Sequence, residues 1–269
     1  MNRIAFPGLG LDFELNRVAF SLFGKDIYWY ALIIATGFLL AVWYGSMRAK
    51  QFHLKRDDLL DMLLYAVPIA ILSARAYYVI FNFDLYRDDL ISVFYIWEGG
   101  IAIYGAILGS LLTVILFCKK RKLPLWDMLD IGALGLLIGQ MIGRWGNFVN
   151  GEAFGGVTEL PWRMQLYDRA VKATVEVHPT FLYESLWNFV GFVLLHFYSK
   201  KRKFSGEIFF LYVAWYGLGR SLIEGLRTDS LYLFGSGIRI SQLIGIISFV
   251  GAMVVLVVKW YQRKKMEVK

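Results

Sequence analysis

Residues 143–156 read GRWGNFVNGEAFGG and residues 219–227 read GRSLIEGLR. Both stretches set strongly hydrated side chains at or inside long apolar runs. A charge held there needs water, a partner or a task. Arg144, followed by Asn147, Asn150 and Glu152, ends one run, and Gly143, Gly146 and Gly151 let the backbone bend and approach a ligand. Capping and turn formation also suit the asparagines. Arg220, Glu224 and Arg227 stand at i, i+4 and i+7, so all three project from one helix face with Glu224 holding the two guanidinium groups. Either a structural Arg-Glu-Arg ladder or a cationic pocket fits that spacing. Arg75 is a third arginine inside an apolar run. Two separate arginine sites favour an anionic ligand, because a guanidinium fork matches phosphate oxygens bidentately. The commonest such anions at a membrane are phospholipid head groups. Tyr28, Trp29 and Tyr30 read as an interfacial belt, from which Tyr30 can also donate a hydrogen bond into the pocket.

The elements that position these groups must be membrane helices. The chain has 269 residues, 58% of them hydrophobic, 17% aromatic and only 19% charged, which is more apolar surface than a soluble core absorbs. Seven runs are long enough to span a hydrocarbon layer of roughly 30 Å, near residues 27–47, 59–82, 100–118, 125–146, 180–198, 206–226 and 239–258. The fold class is therefore all-α and polytopic, a single transmembrane domain over 1–269. An N-terminal arm at 1–26 and a small head at 151–179 are expected outside the cytoplasm. Within them, VAFSLFGKDIYW at 18–29 alternates around a turn and predicts a short hairpin. Gly105 and Gly109, and glycines at three- or four-residue spacing from Gly132 to Gly143, suit close helix packing.

Charge sets the orientation. Seventeen of the 29 basic residues fall in the loops after the first, third, fifth and last spans, against nine on the other side, Arg169 among them. By the positive-inside rule the N-terminus faces out and the C-terminus is cytoplasmic. The net charge of +8 is thus a topology signal, and nucleic acid is excluded as a partner. One cysteine, Cys118, precludes an internal disulfide, and three scattered histidines argue against a metal site. Residues 1–26 carry Arg3, Asp12, Glu14 and Arg17 and lack a compact apolar segment, so no cleavable signal is expected.

GRWGNFVNGEAFG resembles the signature of the prolipoprotein diacylglyceryl transferases, G-R-x-G-N-F-x-N-x-E-x-x-G, at every fixed position from Gly143 to Gly155. YWYAL at 28–32, SAR at 73–75, WEGGIAIYG at 97–105, HPTFLYE at 178–184 and GRSLIEGLR extend the resemblance over most of the chain. It implies a multi-pass enzyme of the bacterial cell membrane that moves the diacylglyceryl group of phosphatidylglycerol onto the lipobox cysteine thiol of a prolipoprotein signal peptide. A thioether forms and glycerol 1-phosphate leaves. The reacting cysteine belongs to the substrate, and no cofactor is needed. Without the resemblance, a transporter with an intramembrane Arg/Glu-lined pathway ranks first.

The resemblance assigns Arg144 and Arg220 to the departing phosphate, with Arg227 as a third cation. It gives Asn147, Glu152 and Gly155 the shaping of the signature loop, Tyr30 a head-group contact, and Asp130 and Glu224 the orientation of the arginines; Arg75 is expected to touch substrate. Many family members place a histidine after the Gly-Gly that opens the third span, where this chain has Tyr104. The expectation is therefore a thiol whose pKa falls beside the arginines and whose proton goes to water or a carboxylate. His178 and Glu184 are left open between a helix-start contact and catalysis. Neither acyl preference nor oligomeric state follows from the residues.

Overall fold

A computed structural model describes residues 2–168, 170–233 and 236–267. Arg169 and Lys269, each counted in a charge set above, lie outside the described residues. In chain order the elements are β1 (Asn2–Phe6), β2 (Leu11–Leu15), β3 (Val18–Leu22), β4 (Lys25–Tyr28), α1 (Trp29–Arg48), α2 (Arg56–Phe81), α3 (Ile103–Arg121), α4 (Leu125–Asn150), β5 (Met164–Asp168), β6 (Ala173–Val177), α5 (Thr180–Tyr198), α6 (Glu207–Glu224) and α7 (Ile240–Glu267). Each predicted span is thus a helix, and most ends fall within a few residues of expectation. Among the described residues α1–α4 and α7 are long and apolar enough to cross a membrane. The other two carry a polar load within otherwise apolar runs: Glu184, Asn188 and His196 on α5, and Glu207, Arg220 and Glu224 on α6.

The expectation of an all-α protein is corrected by two sheets. The hairpin β3–β4 forms as its pattern predicts. The second sheet has four antiparallel strands in the order β2-β1-β5-β6, so the N-terminal arm and the head are one structure. Ile4 pairs with Leu166 and Ala5 with Gln165. The inward side chains Ile4, Phe6, Met164, Leu166 and Val177 form a core with Phe148 of α4 and Phe181 of α5. Apolar burial of this kind stabilises by about 25 cal/mol per Å². Here it seats the sheet on the helix ends that carry the signature.

The chain divides into two compact units, Met1–Tyr44 with Gly132–Lys269, and Gly45–Ile131. Within the second unit, α2 and α3 meet backbone to backbone. A Cβ on Gly105 would lie 2.3 Å from Ser73 O, and one on Gly109 would lie 2.3 Å from Ser73 Oγ. In the first unit α6 and α7 meet similarly, a Cβ on Gly217 falling 2.6 Å from Gly245 O. Small residues permit these approaches, which supply van der Waals contact where the surrounding lipid offers no hydrophobic drive.

Gly105→Ala is therefore expected to destabilise by about 1–3 kcal/mol through overpacking, read as a lower melting temperature in detergent. Gly132→Ala, where nothing lies within 4 Å of the added Cβ, is expected to be neutral or stabilising.

Candidate active site

The signature begins inside α4 and continues past its C-terminus. Gly151 takes a left-handed φ of 61° and its N–H donates to Phe148 O, while Glu152 N–H donates to Asn147 O, so the helix closes on its own carbonyls. The last carbonyls are capped from the N-terminal arm. Asn2 Nδ2 donates to Val149 O and Asn150 O at 3.2 Å each, and the Arg17 guanidinium donates to Asn150 O. A cation at this end also suits the helix dipole. Beyond the helix, Glu152 Oε1 accepts from Asn147 Nδ2 at 3.0 Å and Asn150 Nδ2 at 3.1 Å. Arg144 Nη1 donates to Asn147 Oδ1 at 3.4 Å, which joins the arginine to this amide and carboxylate chain. The ring of Tyr30 packs on Gly146, where an added Cβ would meet Tyr30 Cδ2 at 2.7 Å.

A strap then fastens the loop. Gly155 N–H donates to His178 O, Gly156 N–H to Leu226 O, and Gly155 forms an antiparallel bridge with Arg227. Only glycine fits at 155, since a Cβ would lie 2.7 Å from His178 Cβ and 2.9 Å from Leu226 O. Thr180 Oγ1 donates to Ala153 O and Thr228 Oγ1 to Phe154 O. The segments entering α5 and leaving α6 are thus tied to the signature. Deeper along these helices, Trp187 and Trp215 stack at 4.4 Å and each indole N–H donates to the other's carbonyl, at 3.0 and 2.9 Å, fixing α5 against α6.

These ties bring three guanidinium groups onto one carboxylate. Glu184 of α5, buried, pairs through Oε2 with Arg144 of α4. Its Oε1 takes Arg220 Nη1 of α6 at 3.1 Å and Arg227 Nη1 at 3.2 Å. Glu224, also buried, meets Arg220 Nη2 at 2.5 Å. Asp229 grips Arg227 bidentately, from Nε to Oδ1 at 2.9 Å and from Nη2 to Oδ2 at 2.7 Å. Burial opposes ionisation of both partners in that last pair. The hydrogen bonds and facing charges outweigh it, so the Asp229 carboxyl lies below its ordinary value and Arg227 above its own.

Arg144, Arg220, Arg227, Asn147, Glu152, Gly155, Glu224 and Tyr30 accordingly belong to one unit, with the first three meeting at Glu184. Glu224 was expected to hold Arg220 and Arg227 together. Its carboxylate pairs with Arg220 and reaches Arg227 only through its charge, because α6 ends at Glu224 and the turn beyond carries Arg227 to Glu184 and Asp229. Glu184, left open from the sequence, is the hub, and its signal was a carboxylate set alone in the apolar run of α5.

Arg75, Tyr104 and Asp130 lie in the other unit. Arg75 is buried with its guanidinium over the Tyr86 ring, and it donates to Val93, Gly99, Gly100 and Ser92 carbonyls at 2.8, 2.7, 3.0 and 2.6 Å. Its donors hold the loop that ends in the Gly-Gly before α3. Tyr104 sits in the first turn of α3, its ring 6.5 Å from that of Tyr77. Asp130 is fully buried near the start of α4.

Apolar helices with a buried Arg-carboxylate cluster among them define the class as a polytopic membrane protein. A family model described as prolipoprotein diacylglyceryl transferase matches residues 17–258. The phosphatidylglycerol–prolipoprotein diacylglyceryl transferase of Enterococcus faecalis is 43% identical over 272 residues, covering 95% of this chain and 97% of that protein. The proteins of the same name from Oceanobacillus iheyensis and Pediococcus pentosaceus are 46% and 44% identical, covering 93% and 94% of this chain and 89% and 92% of their own lengths. The chain belongs to the prolipoprotein diacylglyceryl transferase family.

Glu184→Gln keeps the side chain's volume and removes the charge shared by three cations. Breaking a buried ionic set by removing one partner destabilises by about 3–5 kcal/mol. The expected result is a marked drop in melting temperature together with loss of catalytic turnover, whereas Glu152→Gln, at the exposed end of the chain, is expected to melt near wild type.

Proposed function

We propose that the protein transfers the diacylglyceryl group of phosphatidylglycerol to the thiol of the lipobox cysteine of a bacterial prolipoprotein, forming a thioether and releasing glycerol 1-phosphate. The observation that carries this reading is the convergence of Arg144 and Arg220, from different helices, on Glu184. The substrates in the relatives' names support it. Charge asymmetry between the loops supports seven spans in the bacterial cell membrane, with the N-terminus outside and the C-terminus cytoplasmic.

In this reaction sulfur attacks the glyceryl carbon bonded to the phosphate ester oxygen. The carbon–oxygen bond breaks, its electron pair stays on the phosphate, and charge grows there. Arg144 and Arg220 face that charge with N–H groups beyond those engaged by Glu184 and Glu224, since each guanidinium has five. Donors already fixed need no reorganisation as the bond breaks. Glu184 and Glu224 orient the arginines directly. Arg227 braces the set through Glu184, Asn147, Glu152 and Gly155 shape the loop, and Tyr30 meets the head group beside Gly146. Arg75 acts through the loop it holds.

The thiol, ordinarily near pKa 8.5, is nucleophilic only as thiolate. The arginine cluster lowers its pKa, and the proton leaves to water or a nearby carboxylate, with Tyr104 standing where many members carry histidine.

Incubation of the purified protein with phosphatidylglycerol and a lipobox peptide tests the reading: thioether and free glycerol phosphate are expected, and liposome solute flux without modification would overturn it in favour of a transporter. Arg144→Ala is expected to lower the rate by about 10²–10³, the effect of losing one fixed donor to a developing anion. Arg144→Lys should recover little of it. For Tyr104→His the pH-rate profile is expected to keep its shape, and a histidine-like ionisation with a large gain in rate would overturn the base-free account.

A further inference from the structure

Beside the cluster, on the loops that join α4 to α5 and α6 to α7, lies a cleft of about 390 Å³. Its walls include Gly156, His178, Arg227, Thr228, Tyr232 and Arg239. Val157 and Tyr232 stand exposed at its rim, so it faces the surroundings rather than the helix core. The two cations in it differ. Arg227 is held by Glu184 and Asp229. Arg239 contacts no carboxylate among the described residues; one Nη donates to Glu224 O, and the guanidinium lies 6.0 Å from the centre of the Tyr232 ring.

This is a gradient of unmet positive charge. In the inner cluster Arg144, Arg220 and Arg227 are matched by Glu184, Glu224 and Asp229. One step outward, Arg239 has no such counter-charge. Arg227 belongs to both places, touching Glu184 on one side and lining the cleft on the other. A small phosphate ester leaving the inner arginines therefore meets a guanidinium with donors to spare, in a hollow wide enough for a glyceryl phosphate and rimmed by groups open to water.

We propose that this cleft is a second, outer phosphate-ester site, in which Arg239 receives the glycerol phosphate released at the inner arginines before it departs. The proposal rests on the transfer reading above for the identity of its ligand. The recognition chemistry, a guanidinium fork against a phosphate, is shared by a lipid head group, so the test separates the two sources.

The test titrates sn-glycerol 1-phosphate, and separately short-chain phosphatidylglycerol, into the purified protein in lipid-free detergent by calorimetry. Wild type, Arg239→Gln, Arg239→Lys and Val157→Glu are compared. Val157 is 79% exposed, so a carboxylate placed there repels an anion without disturbing packing. Arg239→Gln and Val157→Glu are expected to weaken glycerol 1-phosphate by at least about ten-fold, the scale of one charge-assisted contact. Arg239→Lys should recover little of the binding, because a point charge does not reproduce the fork, and short-chain phosphatidylglycerol should be held as by wild type. If the variants weaken the lipid but not glycerol 1-phosphate, or leave both unchanged, the outer site is refuted. Because binding is read without turnover, an inactive wild type that still binds glycerol 1-phosphate through Arg239 would refute the transfer reading and leave the anion site standing.

Discussion

The Glu184 carboxylate is the constraint on which the rest of the site depends. Three guanidinium groups from three segments repel one another unless an anion stands between them, and Glu184 is that anion for all three. Glu224 and Asp229 complete the matching on the far sides of Arg220 and Arg227. Ions in a poorly hydrated interior are retained only with good geometry and full pairing. The reward is a set of donors whose directions are fixed before a ligand arrives, which is what stabilisation of a developing anion requires.

Holding the geometry falls to the parts around it. The Trp187–Trp215 exchange sets α5 against α6, so that Glu184 and Arg220 meet. The Gly155–Gly156 strap ties the signature to the turns before α5 and after α6. Asn2 and Arg17 close the end of α4 just past Arg144 and Asn147. Remote pieces of chain thus converge on a short helix end, and a shift in any of them is felt at the guanidinium groups.

Much of this was legible in the residues. The helices follow from apolar runs, and in α1–α4 and α7 the run is long and apolar enough to cross a bilayer. Arg144 and Arg220 stood out because charge in such runs is costly. The β3–β4 hairpin announced itself by alternation around its turn. Strand partners were another matter. β1 and β5 lie about 160 residues apart, and alternation marks a strand without naming its neighbour. Hence the arm and the head read as separate pieces. Helical spacing likewise carried Glu224 to both flanking arginines, but the helix stops at Glu224 and the turn sends Arg227 elsewhere. Glu184 lay on a helix with no arginine of its own, and only tertiary packing supplies its three.

The place of β1 inside its sheet, between β2 and β5, has a consequence for biosynthesis. Residues 2–6 are made well before β5, their second neighbour, with four helices between the two strands. Until then the nascent chain carries an open strand edge, which is a hazard for mispairing. A segment joined directly ahead of β1 would hang from an interior strand.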